Sequence, residues 1–169
     1  MIDTSKKFLV AGAGKSGIGS VNLLLKTGAD VSLYDGNEEL DKEALFEKLY
    51  EKKEISLVLG NITKEDIEKY DLLVLSPGIS VNAPIAQMFY DQEKPVWSEI
   101  ELAYQASKGK IAAITGTNGK TTTTALTGEI MKGYYESSFV VGNIGIPYTS
   151  VAADTTEETV TAAEISSFQ

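Results

Sequence analysis

The chain has 169 residues, is 43% apolar and 23% charged, and carries a formal net charge of −9. That balance describes a globular chain, not a disordered one, and the acidity argues against nucleic acid, whose phosphates need clustered Lys and Arg. Cysteine and histidine are both absent, which excludes disulfides, thiolate metal sites and thiol or imidazole catalysis; carboxylates, lysines, hydroxyls, backbone amides and bound metal remain.

Residues 1 to 12 pass from polar to briefly apolar to glycine-rich, a strand opening and not a signal peptide. Lys7 to Ala11 reads as a strand and Ser16 to Lys26 as a helix. Val31 to Tyr34 is a second strand, followed by a charged helical stretch from Leu40 to Lys52. Ile55 to Leu59 and Leu72 to Leu75 read as further strands, with a short helix near Lys64 to Lys69 between them. Asn82 to Tyr90 is expected to be helical, and Pro95 to Trp97 a short strand. Strands alternating with helices mean βαβ units and a mainly parallel sheet.

A boundary near Trp97 to Glu99 divides the chain into units 1–98 and 99–169. A helix from Glu99 to Ser107 leads into a strand at Lys110 to Ile114, a glycine-rich loop and an amphipathic helix from Thr121 to Lys132. The Val140-Val141-Gly142-Asn143 segment and an apolar strand near Thr159 to Ile165 follow. About three strands are too few for a nucleotide-binding α/β domain, so the sequence reads as part of something longer. No run approaches the ~20 apolar residues of a membrane span, so a cytoplasmic chain without membrane insertion is expected.

The loop Gly116-Thr117-Asn118-Gly119-Lys120-Thr121 sits between that strand and its helix. Such a turn aims backbone N–H groups and the positive end of a helix at one point, as a polyphosphate requires. Lys120 can reach the outer phosphates and the Thr121 hydroxyl can hold Mg²⁺. The general phosphate-loop pattern has a glycine five positions before Gly119, where this chain has Ile114. Gly12-Ala13-Gly14-Lys15-Ser16-Gly17 follows the first strand and opens the first helix, with Asp35 at the tip of the second. This is the dinucleotide fingerprint, yet it suits NAD, another nucleotide diphosphate or a purely structural turn.

Ser76-Pro77-Gly78-Ile79 lies past a strand end, where α/β sheets bind ligands or simply turn. Gly142-Asn143-Ile144-Gly145 places an amide side chain between two glycines, suited to a peptide-like or sugar ligand or to a turn. Glu164 ends the last strand, the place of a Mg²⁺ ligand in a phosphate-loop domain or of a solvent-facing carboxylate.

In this order, and together with Glu164-Ile165-Ser166-Ser167-Phe168-Gln169, these motifs resemble the Mur ligase family, on its D-glutamate-adding branch. The resemblance implies an α/β chain: a Rossmann-like parallel-sheet domain, then part of a P-loop ATPase domain. It implies the UDP of UDP-MurNAc-L-alanine, and not NAD, on Gly14, Lys15, Ser16, Asp35, Gly36, Asn37, Ser76, Pro77 and Gly78, with Asn143 and Gln169 also at this substrate. It further implies ATP on Gly116, Thr117, Asn118, Gly119, Lys120, Thr121 and Thr122, Mg²⁺ at Thr121 and Glu164, and catalytic roles for Lys120 and Asn143.

The implied reaction moves the γ-phosphate of ATP to the alanine carboxylate, and D-glutamate's amine then displaces phosphate to form an amide. The family's carbamylated lysine, metal-site histidine and C-terminal D-glutamate-binding domain have no counterpart in these 169 residues. The chain alone is therefore expected to bind UDP-substrate as an inactive monomer. The alternative is an NAD-binding redox or sensing module joined to a P-loop NTPase unit, without ligase chemistry.

Overall fold

The computed structural model describes residues 2–166. Five short apolar segments become strands: β1 (Lys7–Ala11), β2 (Asp30–Asp35), β3 (Ser56–Leu59), β4 (Leu72–Leu75) and β5 (Val96–Ser98). They form one sheet in the order β3-β2-β1-β4-β5, and every pair is parallel. The helices α1 (Lys15–Thr27), α2 (Lys42–Phe46), α3 (Lys64–Ile67) and α4 (Pro84–Asp91) connect these strands, and α5 (Glu99–Ala106) follows the last.

Successive strand residues serve opposite faces. Phe8, Val10, Leu72 and Val74 pack with Val21 and Leu24 of α1 and with Leu102 and Ala103 of α5. Leu9, Ala11, Leu73 and Leu75 pack on the other face with Ile67 of α3 and with Ile85, Ala86 and Phe89 of α4. Burial on both faces is why β1 and β4 read as continuous apolar runs instead of alternating ones. Each of these large side chains contributes about 1.5–3 kcal/mol by leaving water. The chain order runs outward in both directions from the β1–β4 pair, which makes this pair the topological switch point.

The helix expected over Leu40 to Lys52 is instead broken. Asp41 caps α2 by accepting from Ala44 N–H, and α2 ends at Phe46. Leu49 is extended, and Glu51 and Lys52 have φ of 55° and 51° in a 3-10 turn. The Asn22 side chain donates to Lys48 O at 3.1 Å and accepts from Tyr50 N–H at 2.7 Å. That local pairing competes with helical hydrogen bonds and ties the segment to α1 while Leu45 and Leu49 remain buried.

A second, three-stranded parallel sheet contains β6 (Lys110–Ile114), β7 (Ser138–Gly142) and β8 (Val160–Glu164), in the order β6-β8-β7. Helix α6 (Lys120–Tyr134) connects β6 to β7. Its helical period is as expected, but small residues, Thr124 and Gly128, face the sheet. A Cβ at Gly128 would collide with the Val140 side chain, so the helix lies too close for anything larger. Leu126, Ile130 and Tyr134 are exposed. Tyr148, Val151, Ala152 and Ala163 of this second part join Val21, Leu24, Leu102 and Ala103 in one apolar cluster. Among the described residues no helix is long and apolar enough to cross a membrane.

Candidate functional site

A cleft of about 800 Å³ opens beyond the carboxyl ends of β1 to β4. The Gly12–Ser16 turn forms its floor. Gly12 has φ of 99°, and a Cβ on Gly17 would collide with Gly12 O, so these two glycines are required by the turn itself. Gly14 is different. Its φ of −70° and ψ of −178° suit any residue, and a Cβ there would meet nothing within 4 Å. Gly78 on the opposite wall likewise has open space where a Cβ would stand. Neither glycine is demanded by backbone or packing, and both keep the cleft open where a ligand would lie.

Helix α1 starts at this floor without a side-chain cap, and Ile18 N–H is the first to reach a helical carbonyl, Gly14 O at 3.0 Å. The earlier N–H groups and the positive end of the helix dipole are thus offered to the cleft, with Lys15 exposed at its rim. The arrangement suits a diphosphate.

Asp35 has a role that its position in the sequence did not disclose. Its Oδ2 accepts from Ala13 N–H at 2.7 Å, and its Oδ1 accepts from Asn37 N–H at 2.9 Å. The carboxylate clips the two loops together and keeps further lone pairs for a ligand. Gly36, Ser76 and Pro77 also line the cleft, whereas Asn37 does not, its Oδ1 accepting from Glu39 N–H instead. Ser76 is buried against Gly12 and Gly17, and its Oγ makes only a long contact of 3.5 Å to Gly12 O. Asn61 and Ile62 at the end of β3, and Pro84 and Met88 of α4, line the same cleft and were missed. A Gly-Asn pair directly after an apolar strand was the available signal, by the strand-end reasoning applied to Ser76.

The glycine-rich loop after β6 is the second candidate site. Gly119 is the left-handed N-cap of α6 with φ of 77°, and Gly116 has φ of 148°. Lys120 Nζ donates to Gly116 O at 2.7 Å, so the lysine arches over its own loop. Thr117, Asn118, Thr121 and Thr122 are exposed. Thr123 N–H is the first to bond back, to Gly119 O at 2.9 Å, which leaves the preceding N–H groups available to an anion.

Glu164 lies in register between Ile114, where that loop begins, and Gly142. It is 4% exposed, and its Oε2 is buried without a hydrogen-bond partner among the described residues. An unpaired buried carboxylate oxygen costs at least about 1–3 kcal/mol, and a cation would relieve that cost. Asn143 N–H donates to Glu164 O at 3.3 Å, and a Cβ on Gly142 would collide with that same oxygen. The two sequence motifs are therefore one cluster at the ends of β7 and β8. Among the described residues no group of three or more acidic side chains could hold a metal. The Glu164 carboxylate is of the type Mg²⁺ takes, an ion that keeps waters and accepts substrate phosphates as further ligands, and Thr121 is exposed on the first turn of α6. Gln169 lies outside the described residues.

A smaller cleft shares Ser76, Pro77 and Ile79 with the first and continues past Trp97 and Ser98 to Ser166, two residues beyond Glu164.

Residues 6–98 match the Mur ligase MurD-like N-terminal domain family. The chain is similar to the UDP-N-acetylmuramoylalanine–D-glutamate ligase of Lachnospira eligens, 54% identical over 98% of this chain and 36% of that protein. The ligase of the same name from Lachnoclostridium phytofermentans is 52% identical over 97% of the chain and 36% of its own length. The chain thus spans about a third of the curated relatives it matches. Among solved structures, a pseudomurein peptide ligase type C from Methanothermus fervidus superposes with a TM-score of 0.51 at 24% identity, covering 96% of this chain and 33% of that one. The UDP-N-acetylmuramate-alanine ligase of Thermotoga maritima gives 0.50 at 21%, covering 95% and 37%. These two likenesses concern the fold.

Proposed function

The chain belongs to the MurD-like Mur ligase family, and from that premise we propose that it is the substrate- and ATP-gathering part of a cytoplasmic, monomeric ligase that adds D-glutamate to UDP-N-acetylmuramoyl-L-alanine. Residues 1–98 hold the UDP end and residues 99–169 carry the ATP loop. The observation that carries this reading is the buried Glu164 Oε2 beside the phosphate loop, without a hydrogen-bond partner among the described residues, with Asn143 at the same strand ends. An inert α/β turn has no use for a desolvated carboxylate there.

The diphosphate lies on the α1 N-terminus with Lys15 and Ser16, and the uridine on the Asp35–Gly36 loop and Asn61. The sugar-peptide arm follows the smaller cleft past Ser76 and Pro77 toward Ser166, and Asn143 and Gln169 are further contacts of this substrate. The loop Gly116–Thr122 cradles the ATP phosphates, and Lys120 swings from Gly116 O to the γ-phosphate. When bound at Thr121 and Glu164, Mg²⁺ supplies charge neutralisation on the β- and γ-phosphates. The alanine carboxylate attacks the γ-phosphorus and ADP leaves. The amine of D-glutamate then attacks the acyl phosphate; inorganic phosphate departs, a proton is lost from nitrogen, and an amide remains. Lys120 and Asn143 orient the reacting oxygens.

Titration of ATP into the chain, with and without Mg²⁺, tests this assignment. Mg²⁺ should tighten binding in the parent, and Glu164→Gln should remove about 10- to 100-fold of that gain, the worth of one charged contact. The chain alone should release no phosphate when UDP-MurNAc-L-alanine and D-glutamate are added. An Mg²⁺ effect unchanged in Glu164→Gln contradicts the metal assignment, and phosphate release contradicts the division of labour.

A further inference from the structure

Where α5 meets the second part lies a buried carboxyl group to which neither phosphate-binding turn reaches. Glu99 is the first residue of α5, directly after β5, and is only 4% exposed. Its Oε1 accepts two hydrogen bonds from one residue: Thr149 N–H at 3.1 Å and Thr149 Oγ1–H at 2.8 Å. Thr149 is itself 3% exposed and lies in the 3-10 turn Tyr148–Ser150. The neighbouring Tyr148 hydroxyl donates to Ser107 Oγ at 2.7 Å. Consecutive residues of one turn are therefore bonded to the start of α5 and to the residue just past its end. On the other side, a Cβ on Gly19 of α1 would come within 2.8 Å of Thr149 Oγ1, so α1 is bare where the turn seats.

Apolar packing between the parts is non-directional and permits sliding. A buried carboxylate with two converging donors has one satisfied geometry, and displacement leaves it desolvated and unpaired. The turn it grips follows the Asn143–Gly145 loop in sequence, and Glu99 itself forms part of the wall of the smaller cleft between Ser76 and Ser166. Although α5 begins at Glu99, after residue 98, its Leu102 and Ala103 pack with Phe8, Val10, Leu72 and Val74 of the first sheet, so the clamp joins the side of the molecule that would hold the nucleotide end of a substrate to the side that would phosphorylate its other end.

We propose that Glu99 is a positioning residue which, by gripping Thr149, fixes the span between the nucleotide cleft and the phosphate loop. Its functional meaning rests on the ligase reading above, in which one substrate must bridge both sites; the mechanical claim does not.

The chain has no cysteine, so a pair of spin labels can be placed cleanly at Glu68→Cys on the first part and Tyr134→Cys on the second. Both sites are exposed. Pulsed EPR on the 169-residue chain should give one narrow distance distribution in the parent and in Glu99→Gln, which keeps an acceptor oxygen. Glu99→Ala and Thr149→Val should broaden or shift it by several ångströms. UDP and ATP, titrated separately, should still bind these variants within about twofold of the parent, because the proposed contacts of each lie within one part. Unchanged distributions in both variants overturn the proposal. So does collapse of both variants, judged by circular dichroism, since the pair would then be a folding requirement and not a positioning device. Failure of the parent to bind UDP-MurNAc-L-alanine would defeat the ligase reading while leaving the distance result intact.

Discussion

Gly14 and Gly12 sit two residues apart in one turn and are there for different reasons. Gly12 satisfies a backbone with φ of 99°, whereas Gly14 has an ordinary φ and leaves room above the cleft floor. Gly14→Val should therefore leave thermal stability nearly unchanged while weakening UDP-substrate binding at least about tenfold, the effect of a side chain placed where a ligand lies. Gly12→Ala should lower stability by about 1–3 kcal/mol through strain. Melting curves and a UDP-substrate titration on the two variants check this. Equal binding by Gly14→Val and the parent would show that the cleft floor carries no ligand. Single residues were unevenly legible in the sequence. The glycine turns, Lys120 and Glu164 could be found by motif and strand end. Asp35 could be located, but not its clip on Ala13 and Asn37, which depends on how two loops meet. Glu99 could not be found at all, because its partner is Thr149, 50 residues away.

The elements repeat this division. Strand positions followed from apolar runs, and β1, β4 and β6 begin and end where the sequence placed them. The broken segment after β2 did not follow, because Asn22 of another helix decides it. For α6, the sequence indicated a helix but not which face is buried. Leu126, Ile130 and Tyr134 form the larger apolar stripe, yet Gly128 and Thr124 meet the sheet because α6 approaches β7 closely. Gly128→Val should cost about 1–3 kcal/mol by overpacking against Val140, and should weaken ATP binding because the loop stands on the same helix. Leu126→Ser should stay within about 0.5 kcal/mol of the parent. Chemical denaturation of the two variants settles the matter, and the reverse order of effects would mean that α6 is turned about its axis.

At the scale of the whole molecule, the order of motifs carried more information than any one of them. The turn after β1 suits several diphosphates, and the loop after β6 suits any polyphosphate; only their succession pointed to the family that the comparisons then found. How the two sheets meet was not legible, since it depends on Tyr148, Thr149 and α5 packing across a long sequence separation. The central claim is that the first cleft is a UDP-sugar-peptide site and not a dinucleotide site. Isothermal titration of the 169-residue chain with UDP-MurNAc-L-alanine, and separately with NAD, tests it most directly. Saturable binding of UDP-MurNAc-L-alanine with no heat from NAD is the predicted result; tight NAD binding with none of the UDP-substrate would contradict it.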